Sequence, residues 1–543
     1  IGRAWETNAV ADLLDRSLRG AGVVVGFVGS PGIGKSRLTR ETVAIAAGRG
    51  FEVFSTYCES HTREIPFQVV ARLLRMVFGV TAISPEVARS RVRAQLPRAD
   101  ADDLLLLDDL LGIRDTAASL PDISPDARRR RLTALVNAAT VERRIPTLYV
   151  IEDAHWIDDV SESMLFEFAS AVRQTRSVVV VTYRPEYQGL LTGGAGAQVL
   201  TLALLDDFQC LELTSELLGT DTSVAGIVAT VAERAAGNPF FVEEIVRDLA
   251  ERGVLRGERG HYVCVGDAVG VSVPATLQAT IGARIDRLSA DAKRTLHAAA
   301  VIGARFDAEL LTRLLDGAEL SSLIEAELVD QVLTTPHFEY AFRHPLIQKV
   351  AYESQLKATR SALHRRLAAA IEQNETASGD ENAAFIAIHW EAAGDLRAAF
   401  SWHLRAGTWF NYRDIRAART SWQRAQQVAD RMAVDEPDRS SMRISPRTLL
   451  CGSAFRVGVG PAHTGFDELR ELATTAHDDV SLAIGIAGQL TTLAFHSHYR
   501  QAVEMAAELE VLLDSIGDPT PIVALLYTAA QAQFAAGAAS ERR

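Results

Sequence analysis

The sequence predicts an α/β domain built on a five-stranded parallel sheet, followed by an all-helical remainder. Three observations point there. Short β-branched runs, "VVVGFV" at 23–28, "LYVI" at 148–151 and "SVVVV" at 177–181, alternate with longer stretches whose apolar residues recur every three or four positions. That alternation is the pattern of a parallel sheet wrapped by helices. The composition, 48% hydrophobic with 7% aromatic and rich in alanine, leucine and arginine, suits a mostly helical protein. At 543 residues the chain is too long for one core, so several domains are expected.

The first strand runs into "GSPGIGKSR" and then a helical pattern. Gly29-x4-Gly34-Lys35-Ser36 satisfies the P-loop pattern in its proper strand–loop–helix setting. Gly29, Ser30, Pro31, Gly32, Ile33 and Gly34 form a loop whose backbone N–H groups turn toward phosphates. The helix opening with Lys35, Ser36 and Arg37 adds the positive end of its dipole. Lys35 is expected to reach the terminal phosphates and Ser36 to offer its hydroxyl to Mg²⁺. Only four of the 56 basic residues are lysines, and one stands where a compact ammonium fits better than a planar guanidinium.

A P-loop needs an acidic partner on a neighbouring strand, and "TLYVIEDAHWIDD" supplies Glu152 and Asp153 at a strand's C-terminal end. By position Glu152 is assigned to the metal and Asp153 to the attacking water, although the two roles can be exchanged. The strand "SVVVVTYRPEY" brings Thr182 and Arg184 to the same edge, where Arg184 serves as a γ-phosphate sensor or stands as an exposed loop residue. "FEVFSTYCES" (51–60) and "QVLTLALL" (198–205) complete the five strands. His155 is read as orienting a carboxylate or as a bystander. The "RRRR" run at 128–131 is read as a solvated helix face.

Taken together, "IGR" at 1–3, "GSPGIGKS", "YVIEDAHWID", "VVVVTYRPE" and "GNPFFVEEI" resemble the signal-transducing (STAND) branch of AAA-like ATPases, well over about residues 1–375 and loosely beyond. The nearest resemblance is to the ATPase and helical-repeat portion of large bacterial regulators. These carry a class III adenylate/guanylate cyclase domain at the N-terminus or a LuxR-type DNA-binding domain at the C-terminus. The resemblance implies an α/β P-loop NTPase core (1–200), a helical lid (201–270), a winged-helix domain (271–373) and tetratricopeptide-like repeats (382–543). It also implies that Ile1, Gly2 and Arg3 approach the adenine of ATP or ADP, that Pro239 packs on the base, and that His344 touches the β-phosphate. Read from the residues alone, Pro239 marks a helix stop and restart, and His344 is an ordinary core or surface histidine.

The remaining features are consistent with a cytoplasmic setting. Four widely spaced cysteines read as reduced core thiols, and a formal charge of −13 argues against a general nucleic-acid or membrane binder. "DLRAA" and "DIRAA" turns begin at Asp395 and Asp414, one helix apart, and predict an α-solenoid offering a surface to a protein or small-molecule effector. The chain lacks an initiator Met and stops at "AQFAAGAASERR", half of a helical hairpin, so a segment of a longer protein with an attached output domain is expected. The function expected from all this is a slowly hydrolysing ATP switch. A motor-like ring ATPase and a non-hydrolysing, nucleotide-stabilised scaffold are the rival readings.

Overall fold

The computed structural model describes residues 2–543 apart from 61–62, 64, 82, 116, 193–195, 266–275, 334–337, 375–379, 517–524, 526–529 and 531–543. Expectations that fall on Ile1 and on the C-terminal "AQFAAGAASERR" lie outside the described residues. The chain separates into two compact units, one of residues 1–122 with 129–363, the other of 123–128 with 364–543.

The first unit is built on β1 (Val23–Val28), β2 (Glu52–Tyr57), β3 (Thr147–Glu152), β4 (Ser177–Tyr183) and β5 (Gln198–Thr201). These form the expected five-stranded sheet in the order β2-β3-β4-β1-β5, and every pairing is parallel. Parallel strands covered on both faces read as continuous apolar runs, which is why β1 and β4 are so rich in valine and β3 runs Leu-Tyr-Val-Ile. Val10, Leu13 and Leu14 of helix Ala4–Leu18 and Leu38 and Ala46 of helix Lys35–Gly48 join Val23, Val25, Phe27, Val150 and Val180 in one core. Phe168 of helix Asp159–Val172 meets the Tyr149 ring edge-on at 4.9 Å. Burial of each such aliphatic side chain is worth about 1.5–3 kcal/mol. After β1 the chain crosses to the far edge and returns through β3 and β4 before adding β5 on the other side. The reversal opens a crevice at the C-terminal end of β1, the usual ligand position in such sheets.

Beyond β5, helices Asp207–Leu218, Ala225–Ala235 and Pro239–Glu251 enclose their own core of Leu213, Leu217, Ile227, Val231, Val242 and Ile245. The short hairpin β6 (Leu255–Arg256) and β7 (Val263–Cys264) follows. Next come helices around a three-stranded antiparallel sheet: β8 (Arg305–Asp307), β9 (Val329–Leu333) and β10 (Glu339–Phe342), in the order β8-β10-β9. β8 is three residues long, too short to show a period in the sequence.

One buried charge group joins these pieces. Arg284, 2% exposed, donates to Glu251 Oε1 (2.8 Å), Glu244 Oε2 (2.5 Å) and the Ala326 carbonyl (2.5 Å), and Glu244 is wholly buried. Removing Arg284 leaves the buried Glu244 with Arg247 as its remaining partner and the Ala326 carbonyl without this donor, at a cost of about 1–3 kcal/mol. Arg284→Ala is therefore expected to lower the thermal midpoint of the first unit by several degrees in circular dichroism. Arg284→Met combined with Glu244→Leu should recover most of the loss.

The second unit is all helical from Ala383–Ala392 to Tyr499–Ile516, consecutive helices packing on one another. Small residues let them approach closely: a Cβ at Gly407 of helix Leu396–Phe410 would lie 2.2 Å from Trp422 Nε1 of helix Ile415–Arg431. Asp395 and Asp414, which open the two repeated turns, cap these helices by accepting from Ala398 N and Ala417 N. All four cysteines are free and buried. The expectation for 128–131 holds at Arg130, which is exposed, but Arg128 is buried and Arg131 binds Asp100 (2.9 Å) and Asp103 (2.5 Å) at the acidic start of helix Ala101–Leu110. Among the described residues no helix is long and apolar enough to cross a membrane.

Candidate functional site

The P-loop leaves the C-terminal end of β1 and closes on helix Lys35–Gly48. Gly34, with φ of 102°, adopts a backbone conformation that L side chains rarely take and stands at the helix N-cap. No side chain caps this end, which leaves its donors for an anion. Lys35, 8% exposed, folds back to donate to the Gly29 carbonyl (2.7 Å) and the Ser30 carbonyl (3.1 Å). Burial lowers its pKa to about 8, Asp153 opposing and Arg184 reinforcing that shift. Ser36 is exposed beside it, and Arg37 pairs along the helix with Glu41 (3.3 Å).

Both carboxylates stand at the end of β3, and although Arg305 acts on both, the cation that acts most strongly differs between them. Burial pushes the Asp153 carboxyl above the ordinary range, and Lys35, then Arg184, pulls it back. Burial raises the Glu152 carboxyl likewise, and there the opposing cation is Arg305, whose Nη2 lies 3.7 Å from Oε1. Asp153 takes a left-handed backbone conformation (φ 55°) and its N–H donates to Thr182 Oγ1 at 2.9 Å, so the β4 end fixes the acidic turn. Arg184 lies 5.8 Å over the Trp156 ring. Lys35, Asp153 and Arg184 thus form one electrostatic cluster.

His155 lies within the same cluster. Its side chain is 9% exposed, neither ring nitrogen has a hydrogen-bond partner, and Nδ1 stands 3.9 Å from Asp153 Oδ1. Burial, then Arg184 and Lys35, drives its pKa down to about 3, so the ring is neutral at physiological pH. Buried polar atoms are rarely left without a partner, and a ligand oxygen or a water would satisfy these two.

Distant parts of the chain converge on the loop. Asn238 Nδ2 donates to the Pro31 carbonyl (3.1 Å), Phe240 N donates to the Gly32 carbonyl (3.3 Å), and a Cβ at Gly32 would lie 2.8 Å from Asn238 Oδ1. Pro239 sits between these two contacts at the first position of its helix. His344 stacks on Phe240 with ring centroids 4.0 Å apart, and its Nδ1 accepts from Leu346 N to cap helix Pro345–Glu353. Burial, followed by Lys35 and Arg184, lowers the His344 pKa to about 3. Arg3 Nη2 donates to the Ile33 carbonyl (3.2 Å) and the Ala203 carbonyl (2.6 Å), while Gly2 lies against Leu205 and Gln209. Asn238 and Phe240 are absent from the sequence-level candidates, although Asn238 carries the signal of a preferred helix N-cap. Arg305 carried no such signal.

The residues present fit a nucleotide with Mg²⁺: a loop whose glycine positions leave no room or backbone freedom for a side chain, an uncapped helix start, a buried ammonium, an exposed serine hydroxyl and two carboxylates. Mg²⁺ commonly takes one or two carboxylates plus substrate phosphates.

Comparison with known proteins gives a partial frame. Residues 1–181 match the AAA ATPase domain, and residues 207–261 match a domain of unknown function (DUF8739). An uncharacterized protein of Rhizobium meliloti (strain 1021) is 28% identical over 421 residues, 75% of this chain; the match spans 40% of that relative's length. Among solved structures, a STAND protein with a tetratricopeptide repeat sensor from Pyrococcus horikoshii is similar at 13% identity and a TM-score of 0.43, covering 96% of this chain and 71% of that one. The Aeropyrum pernix ORC1 protein, solved in complex with DNA, is similar at 15% identity and a TM-score of 0.31, over 65% of this chain and 92% of that one. The first third of the sequence thus matches the AAA ATPase domain over the same residues that carry the P-loop, the acidic turn and most of β4.

Proposed function

We propose that this chain is an ATP-binding, slowly hydrolysing signal-transduction switch of the STAND kind. The observation that carries it is convergence: the lid residues Asn238 and Phe240, and His344 beyond them, gather on the loop that holds Lys35. A phosphate on that loop would touch three successive parts of one chain, so its identity would bias how they pack. Gly29, Ser30, Pro31, Gly32, Ile33, Gly34, Lys35, Ser36 and Arg37 would cradle the phosphates. Gly2, Arg3 and Pro239 would flank the base, and His344 would lie near the β-phosphate. Ser36, Glu152 and Asp153 would hold Mg²⁺, partly through water, and the ion would neutralise charge on the phosphates. Asp153, facing Lys35 and Arg184, would orient the attacking water; Arg184 would sense the γ-phosphate.

Within this reading, residues 1–200 are the ATPase core, 201–270 a helical lid, 271–373 a winged-helix-like latch and 382–543 repeats that receive a protein or small-molecule effector. The chain spans well under half of its curated relative, so the output lies with the whole protein. A nucleotide cyclase is the favoured attachment, with a LuxR-type transcriptional regulator as the alternative, and the setting is cytoplasmic. No direct nucleic-acid contact is assigned to this segment.

Single-turnover hydrolysis of γ-labelled ATP at several protein concentrations tests the reading. A slow phosphate release whose rate per chain is independent of dilution is expected. A rate rising steeply with concentration would favour a ring motor, and no release at all would leave only a scaffold.

A further inference from the structure

Arg305 opens β8, far in sequence from the acidic turn, yet its guanidinium lies 3.7 Å from Glu152 Oε1 and 4.2 Å from the centroid of the Tyr57 ring. Arg72 also covers that ring, at 3.8 Å, and donates to the Tyr57 carbonyl at 2.8 Å. Glu59, 8% exposed, accepts from Ala304 N (2.9 Å) and Arg305 N (3.4 Å). The Tyr57 hydroxyl donates to Glu339 of β10 at 3.3 Å. The three-stranded sheet is thus fastened to the end of β2 by hydrogen bonds through Glu59 and Tyr57. The Arg305 side chain is an additional contact that points at the carboxylate assigned to the metal.

We propose that Arg305 is a positioning residue that competes with Mg²⁺ for Glu152, so that metal entry and docking of the β8–β10 sheet oppose each other. This rests on the nucleotide-site reading above. A divalent ion brought to the Glu152 oxygens meets the like charge of the guanidinium 3.7 Å away. The side chains of Arg305 and Glu152 are 19% and 23% exposed, so the pair is only partly screened. Metal binding therefore displaces Arg305, and by linkage a docked sheet weakens metal binding to the same degree. Glu59 holds the β8 backbone whatever side chain stands at 305, so the competitor can be removed without releasing the strand.

The test is the Mg²⁺ concentration that half-maximally changes the affinity for N-methylanthraniloyl-ADP, measured by fluorescence and needing no turnover. Arg305→Gln is expected to lower that concentration about fivefold, the size of a partly exposed ion pair. Arg305→Lys, which keeps the charge, should stay within about twofold of the parent. Glu59→Gln, which loosens the backbone hold but spares the acidic turn, should shift it in the same direction as Arg305→Gln and by less. A folded Arg305→Gln protein with an unchanged or raised Mg²⁺ requirement overturns the proposal. So does an equal fall in Arg305→Gln and Arg305→Lys. Lys35→Ala separates the two levels: if it binds the fluorescent nucleotide as the parent does, the site reading itself fails. If Lys35→Ala loses binding while Arg305→Gln shows no shift, only the competition fails.

Discussion

Replacing Lys35 with alanine is expected to weaken ADP and ATP binding by more than about a hundredfold, since charge-assisted hydrogen bonds to phosphate contribute roughly 3 kcal/mol. The ammonium is buried at the base of the loop and already poised on the Gly29 and Ser30 carbonyls, so its loss removes the charge at that point. Fluorescent-nucleotide titration measures the loss, and an unchanged thermal unfolding curve without nucleotide shows that the loop still folds. The same residue sets a pH dependence. Its pKa in the free protein is lowered to about 8, and bound phosphates favour the charged form. Binding above that value must therefore take up a proton, and affinity falls as pH rises through 8, approaching tenfold per unit. A flat profile from pH 7 to 9.5 would mean that Lys35 does not face the phosphates.

Asp153→Asn should separate binding from chemistry. The carboxylate stands in the field of Lys35 and Arg184 with its backbone fixed by Thr182, and the amide keeps the shape while losing the charge that orients water. The single-turnover rate is expected to fall about 10²–10⁴-fold, the usual contribution of a positioned base. ADP affinity measured without Mg²⁺ should move by less than about threefold, because neither the attacking water nor the ion then takes part. Glu152→Gln gives a useful contrast: its partner is Arg305, so its main effect should be on the Mg²⁺ requirement. If the two substitutions gave the same loss in rate and the same Mg²⁺ dependence, the division of labour between them would be wrong.

Much of this site is legible in one dimension because its parts are short, contiguous and chemically distinctive. Gly34 and Lys35 belong to one loop, and Glu152 and Asp153 close one apolar strand, so spacing alone brings out the sheet and its ligand edge. Contacts across the chain were not legible. Asn238 meets Pro31 and Arg305 meets Glu152 only after the helices of 207–251 and the three-stranded sheet have folded back. Their local sequence records capping and a three-residue strand, which are common and unspecific. Arg128 and Arg131 make the opposite point. A basic run looks solvated until its acidic partners, Asp100 and Asp103, are placed by another helix.

The most direct test is a crystal structure with Mg²⁺ and a non-hydrolysable ATP analogue. The expected result places the β- and γ-phosphates on the Gly29–Lys35 loop, with Lys35 Nζ on their oxygens and Asp153 reaching the γ-phosphate directly or through one water. An analogue bound elsewhere, or one on the loop with Asp153 turned out of reach of its phosphates, would contradict the account.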